Sequence, residues 1–412
     1  MEHDVLTRLF RSEFSKMVAV ISRSFGLEHL ETAEDIVSET FMLATENWQK
    51  NGIPENPQAW LYTVAKNKTH RYFKRKTIFS QKVAPAFQQQ IESTVFQDEN
   101  FSTQNIRDSR LQMMFAICNP VIAGEAQIAL ALRVLCGFGI DEIAEAFFTT
   151  KETINKRLYR AKEKLRAEQI QMELPGNRDI NKRLNVVLHI LYLLFNEGYY
   201  STTGNQVLRK DLCSEALQLA VLLTEFESTN LPKTNALVAL MCYHSSRFPA
   251  RENAANGAVT LDEQERHLWD RDLIKAGSFY LSKAAEGNEI TSYHLEARIA
   301  FCHAELTADK EKWPEILKAY DMLIEINNSP GVIINRIYAI YRVHGAMAAL
   351  EETDKYYNVR DSHYYYTLLG ELYLHVDKEK ARSNFLRALS LARSAHDKQM
   401  LQYKIDRLKG EP

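Results

Sequence analysis

The sequence predicts an all-helical protein, and three observations carry that expectation. Its 412 residues include only 15 glycines and 10 prolines, a combined share about half the roughly 12% of ordinary globular chains. Apolar residues recur at three- and four-residue spacing along most of the chain. Its last third adds the spacing of a helical repeat. With 45% hydrophobic and 25% charged residues, the composition excludes collagen-like, low-complexity and disordered chains and leaves little room for a large sheet. The length suits two to three domains.

Taken in order, LTRLFRSEFSKMVAVISRSF and AEDIVSETFMLATENW each carry a helical apolar face. Thr32, with Asp35 three residues on, resembles a capping box for the second of these helices. Asn56-Pro57 signals a third start, an Asn cap followed by Pro where no amide hydrogen is needed. Residues 77–106 lose periodicity and are expected to form an interdomain linker, with a contour length on the order of 100 Å. Periodicity resumes at Asp108 and lasts to about Gln169. Pro175-Gly176 breaks it, and residues 183–412 are helical again. There Tyr366, Leu369, Gly370, Tyr373, Ala381, Phe385 and Ala388 approach tetratricopeptide spacing. Trp313, Leu317, Tyr320 and Leu323, followed by Pro330, suggest a second, weaker hairpin.

The net charge of −2 predicts no polyanion partner by itself. Its distribution says more. Residues 1–170 hold 22 basic against 21 acidic side chains, leaving 29 against 32 for residues 171–412. Residues 56–91 carry Lys66, Lys68, Arg71, Lys74, Arg75, Lys76 and Lys82 with no acid, and residues 151–166 carry seven bases against Glu152 and Glu163. Two such stretches suit nucleic acid. In the first, Trp60, Tyr62, Tyr72 and Phe73 are interleaved with the bases, an arrangement fitted to unpaired bases and their backbone. In the second, GIDEIAEAFFTTKETINKRLYRAKEKLR reads as a helix-turn-helix. Ile143, Ala144 and Ile154 are its expected core, Thr150 the cap of the second helix, and Phe148 stands in the turn. Asn155, Lys156, Arg157 and Arg160 would face a major groove.

These segments resemble a known family. The chain is similar to sigma-70-family transcription initiation factors of the extracytoplasmic-function class. AEDIVSETF and NPQAWLYTVAKNKTHRYFKRK resemble region 2 of that class, and residues 108–166 resemble region 4, with no region 3 between. FNEGYYSTTG, RKDLCSEALQLAVLL, ALMCYHSSRFPAR and LDEQERHLWDRDLI resemble the subgroup with a tetratricopeptide-like C-terminal extension. The resemblance implies region 2 over 1–76, the linker over 77–106, region 4 over 107–170, a second linker over 171–182 and the extension over 183–412.

It also implies roles by position. Asp35, Glu39 and Thr40 match the acidic surface that docks on the clamp helices of core RNA polymerase. Trp60, Lys66, Asn67, Arg71, Lys74 and Arg75 fall in the segment that opens and reads the −10 element. Thr150, Lys151, Asn155, Lys156, Arg157 and Arg160 belong to the recognition helix for the −35 element. Asn155 stands where many relatives have a basic residue, so base preferences do not transfer.

The expected function is therefore promoter-specific transcription initiation, with core polymerase and promoter DNA as partners, a protein partner at the extension, no covalent chemistry and no cofactor. Five well-separated cysteines without a CxxC argue against a disulfide framework. The charged start MEHDVLTRLF and a longest apolar run of ten residues, Val186 to Phe195, suggest neither signal peptide nor membrane span and a cytoplasmic setting. Two rivals stand beside this reading. One is a ligand-sensing helix-turn-helix factor that does not bind polymerase. The other is an enzyme in the C-terminal half, built on HSSR and DEQERHLWDRD. The latter segment is better read as buried ion pairs between helices, and His294, Cys302, His303 and Glu305 lack a metal-ligand spacing.

Overall fold

The computed structural model describes residues 2–83, 101–147, 149–176, 178–199, 209–252, 261, 264–306, 308–356, 359, 362–392 and 395–410. The described residues form helices and connections and no strand, so the fold is all-α. The chain divides into two compact units, Met1–Leu193 and Leu194–Pro412.

The first unit opens with α1 (Glu2–Phe25), α2 (Leu30–Asn51) and α3 (Pro57–Val83). Phe14, Met17, Val18 and Ile21 of α1 meet a stripe on α2 and α3 that includes Val37, Phe41, Trp48, Leu61 and Ala65, all buried. Gly26 stops α1 at φ +90°, a conformation other residues reach only with strain. A single 3-10 turn over Leu27–His29 follows, and α2 starts at Leu30 with no side-chain cap. Thr32 therefore lies inside the helix and caps nothing; the glycine reverses the chain before Thr32 is reached. The Asn56 cap forms as expected, its Oδ1 accepting from Ala59 N at 3.0 Å.

Helix α3 outruns its expected end at residue 76. Thr77 to Val83 contain neither glycine nor proline, and the helix reaches Val83, two residues before Pro85, whose ring disfavours helix in the residue before it. On the far side, α4 (Thr103–Ile117) begins inside the expected linker, with Ser102 Oγ accepting from Asn105 N. The remaining linker residues, 84–100, lie outside the described residues.

Helix α4 packs on α1, and its second half is buried almost all round, from Leu111 to Ile117. Next, α5 (Gly124–Leu130) runs into a π turn over Ala131–Leu135. The hairpin α6 (Ile140–Ala146) and α7 (Lys151–Ala167) occupies the predicted segment. Ile143, Ala144 and Ile154 are buried, and Leu158, Ala161 and Leu165 continue the buried row on α7. Thr150 caps α7, accepting from Thr153 N at 3.2 Å. Phe148 lies outside the described residues.

Helix α8 (Ile180–Tyr199) follows the Pro175-Gly176 break, and the boundary between the units falls within it. Arg183 at its start donates to the Phe115 carbonyl at 2.5 Å, so the expected linker at 171–182 gives way to helix at Ile180.

The second unit continues with α9 (Lys210–Thr224), α10 (Pro232–Ser245), α11 (Phe248–Glu252) and α12 (Arg271–Ala284). Then come α13 (Ser292–Glu305), α14 (Asp309–Ile326), α15 (Pro330–His344), α16 (Ala346–Thr353), α17 (His363–Tyr373), α18 (Lys378–Leu391) and α19 (Ala395–Gly410). From α12 onward each helix packs on its neighbour in sequence, the local connectivity of stacked hairpins. The two predicted hairpins are α14–α15 and α17–α18. In the second, a Cβ on Gly370 would stand 2.4 Å from the Phe385 ring, so the small residue sets how closely the helices approach. Nearly every residue of α10 is buried, among α9, α12 and α13. All five cysteines are free and buried. Among the described residues no helix is long and apolar enough to cross a membrane.

Candidate nucleic-acid interface

Helices α2 and α3 enclose a groove with walls of opposite charge. Thr32, Asp35, Ile36 and Glu39 line one side; Lys68, Arg71, Tyr72 and Arg75 line the other. The acids repeat every fourth residue, at Glu31, Asp35 and Glu39, and all three are exposed. This spacing stacks like charges on one helix face. Partial burial, and then the neighbouring carboxylates Glu34, Glu31 and Glu39, hold the Asp35 carboxyl above the usual carboxylate range. Glu39 is joined to Lys68 across the groove at 2.7 Å. Thr40 is not part of this surface. It is fully buried and its hydroxyl donates to the Ile36 carbonyl at 2.7 Å, because position 40 falls on the apolar face beside Val37 and Phe41.

On α3 the expected residues separate into two groups. Asn67, Arg71, Lys74 and Arg75 are exposed, and among the described residues no acid pairs with Arg71, Lys74 or Arg75. Lys66 and Trp60 are half-buried, and the Trp60 ring stands edge-on to buried Trp48, 5.5 Å between centroids. The other aromatics are mostly structural. Tyr62 donates to the Glu13 carboxylate and stacks on Phe101 at 4.6 Å. Phe73 is buried and stacks on Phe25 at 3.5 Å. Tyr72 is the exception, 42% exposed in the groove wall.

On α7 the buried row Ile154, Leu158, Ala161 and Leu165 turns Asn155, Lys156 and Arg160 outward, with Tyr159 beside them. Lys151 pairs with Asp141 at 2.6 Å, both exposed. Arg157 is drawn away from that outward row. It pairs with Glu125 at 2.7 Å and lies 5.6 Å from the centre of the Phe147 ring. Thr150 is engaged as the cap.

One constellation was not anticipated. Glu34 lies on the apolar stripe of α2 and its carboxylate accepts from Arg133 at 2.9 Å and Lys162 at 2.6 Å. The sequence did hold a signal for it: an acid among Leu30, Ala33, Val37 and Phe41, where each neighbour on the face is apolar.

In the second unit, the polar residues around LDEQERHLWDRD are consumed by structure. Arg247 donates to Gln264 at 3.1 Å and Arg266 to the His303 carbonyl at 3.0 Å. Both guanidinium groups lie within 6 Å of the Trp269 ring centre. Asp270 caps α12, accepting from Asp272 and Leu273 N. The described contacts are thus caps, hydrogen bonds, cation–π pairs and an exposed His267–Glu265 contact at 3.5 Å, in place of the expected buried ion pairs. His294 accepts from Thr291 N at 3.1 Å in the capping box of α13, and Cys302 is buried. Among the described residues no group of three potential ligands could hold a metal ion.

Comparison with known proteins adds to this geometry. The family described as Sigma-70 region 2 matches residues 9–78, and a family of unknown function (DUF6596) matches residues 183–285. The chain is 31% identical over 391 residues to Uncharacterized protein R00370 of Rhizobium meliloti (strain 1021), covering 93% of this chain and 92% of the relative. It is 23% identical over 167 residues to RNA polymerase sigma factor YlaC of Bacillus subtilis (strain 168), covering 40% of this chain and 93% of that one. No solved structure matches the chain. The chain belongs to the same family as the rhizobial protein, and with region 2 spanning its first three helices it is a member of the sigma-70 family.

Proposed function

We propose that this chain is an extracytoplasmic-function sigma factor that directs core RNA polymerase to a specific set of promoters. The observation that carries the reading is the two-signed groove inside the segment matched by sigma-70 region 2. Its acidic wall, Asp35 and Glu39, docks on polymerase. Its basic wall, with Asn67, Arg71, Lys74 and Arg75, follows the separated −10 strand while Tyr72 stacks on an exposed base. Lys66 and Trp60 border this strip and position it. The alignment with YlaC, whose name gives its function, supports the same role over the 40% of the chain that it covers.

In this reading α6–α7 is a helix-turn-helix and α7 enters the major groove at the −35 element. Asn155, Lys156 and Arg160 are its outward residues, and Arg157 reaches DNA only after leaving Glu125. The stack from α9 to α19 is a tetratricopeptide-like module for a protein partner, since it has no basic stretch comparable to residues 66–76. A ligand-sensing factor without polymerase would need no acidic wall beside a basic one.

The two DNA contacts are separable by experiment. Arg160→Ala is expected to cost about 1–3 kcal/mol in −35 binding if the guanidinium is bidentate to a base. Arg157→Ala costs less, because the free chain already gives that side chain a partner. Arg71→Ala with Lys74→Ala should instead suppress permanganate reactivity near −10, and a pre-melted template should rescue it. Loss of both activities together in every variant, with no rescue, contradicts the assignment.

A further inference from the structure

Several arginines of the second unit are neutralised by carboxylates. Arg298 pairs with Glu315 at 2.9 Å, Arg336 with Asp321 and Glu352 at 2.7 Å each, and Arg209 with Asp211 at 3.1 Å. Arg247 and Arg266 are different. Both are half-buried, and among the described residues neither has an acid partner. Their hydrogen bonds go to neutral oxygens, the Gln264 amide and the His303 carbonyl. Both guanidinium groups also stand over one ring, 5.8 and 5.4 Å from the centre of Trp269. The acids beside them in sequence are engaged elsewhere, Glu265 with exposed His267 and Asp270 in the cap of α12.

The same chemistry continues across α13, α14 and α15. The His303 ring stands edge-on to Trp313, 5.6 Å between centroids. Arg342 lies 4.4 Å from the Trp313 ring centre, and buried Lys312 lies 5.4 Å from it. Burial, and then the charges of Arg247, Lys312, Arg266 and Arg342, push His303 down, so these four cations share one neighbourhood. Within it Trp269 and Trp313 are 4% and 5% exposed, and the indole N–H of each meets no acceptor. An indole N–H can only donate, and a buried donor without an acceptor is costly. A neighbourhood rich in cations and donors has the chemistry that holds an anion.

We propose that Arg247, Arg266 and the indoles of Trp269 and Trp313 form a binding site for a phosphate dianion, taken either as free phosphate or as the phosphoryl group of a small metabolite. Planar guanidinium forks match phosphate oxygens two at a time. A phosphoryl group brings about two negative charges and three strong acceptor oxygens at neutral pH, whereas a carboxylate brings a single charge. The depth of the two tryptophans suits a small ligand better than a polymer backbone. The site goes beyond the sigma reading and stands without it, since all of its residues lie in the second unit.

Equilibrium dialysis of the full chain against radiolabelled inorganic phosphate, at fixed ionic strength, tests this. Phosphate is expected to bind saturably, one per chain, and acetate at the same concentration should not displace it. Arg247→Gln and Arg266→Gln should each weaken binding about tenfold or more, the effect of losing a charged hydrogen-bond donor. Trp313→Phe keeps a ring beside Arg342 and should cost about threefold through the lost N–H. Arg298→Gln, whose native partner is Glu315, should leave binding unchanged. Glycerol 3-phosphate separates the two sources: tighter binding than phosphate assigns a metabolite, and equal or weaker binding assigns the free ion. Circular dichroism checks the fold of each variant. If Arg266→Gln does not fold, Arg266→Lys, which keeps the charge and loses the fork, should still weaken binding. Absence of saturable phosphate binding, or binding that both arginine substitutions leave unchanged, overturns the site.

Discussion

Replacing Asp35 and Glu39 together by lysine is expected to weaken association with core RNA polymerase at least a hundredfold while leaving the fold intact. Both side chains are exposed on α2. Asp35 sits among like charges that hold its carboxyl above the usual range, so removing its charge relieves repulsion. Glu39 loses only its pair with Lys68, in which the glutamate is 63% exposed, and pairs of that kind contribute little to stability. On the partner side, reversing two charges in a complementary interface sets like charges against each other, at a cost of several kcal/mol. Thr40→Ala has the opposite profile. It empties a buried position and removes a hydroxyl that is already satisfied by Ile36, so its effect falls on folding. Titrating labelled protein with core polymerase, alongside thermal unfolding, separates the two. Unchanged affinity in the double charge reversal contradicts the docking assignment.

Acidification from pH 7 to pH 5 is expected to remove about 4 kcal/mol of stability from the second unit through two histidines. Burial, and then nearby arginines, push His244 down to about 3; burial with Arg247, Lys312, Arg266 and Arg342 does the same to His303. Each is held neutral in the folded chain, whereas the unfolded chain takes up protons near the ordinary histidine value of 6.5. Stability from each group is therefore fully present above that value and is lost as the pH falls toward 3. At pH 5 the loss is about 2 kcal/mol per histidine. Urea unfolding at the two pH values should show it, and His303→Gln should remove about half of the difference. The same pH dependence in wild type and in a variant lacking both histidines contradicts this account.

What the sequence made legible follows from which forces act locally. Caps and breakers act within a turn, so Asn56-Pro57, Thr150 and Pro175-Gly176 were read correctly. The row Ile143, Ala144, Ile154 was legible because a helical hairpin buries it whatever else the chain does. Thr32 failed as a cap because Gly26 competes for the same reversal of the chain. Residues 77–83 were passed over because their apolar face is weak, yet a helix already nucleated extends until a breaker stops it.

The interface was legible in composition and less so in geometry. Charge runs identify a surface, but not which side chains are claimed by neighbours distant in sequence. Arg157 goes to Glu125 and Lys68 to Glu39, partners 32 and 29 residues away. The same holds for Tyr62 and Phe73, whose rings are taken up by Phe101 and Phe25. Glu34 is the instructive case, since its place on the apolar stripe marked it as paired while leaving Arg133 and Lys162 unnamed.

The central claim is that this chain programs core RNA polymerase, and its most direct measurement is transcription itself. Purified full-length protein is added to core polymerase on a library of DNA fragments, and transcript starts are mapped with and without it. The account predicts a discrete class of starts that require the chain, share sequence at −10 and −35, and disappear with the Asp35→Lys, Glu39→Lys double variant. A start profile that is the same with and without the chain, while the chain remains folded, contradicts it.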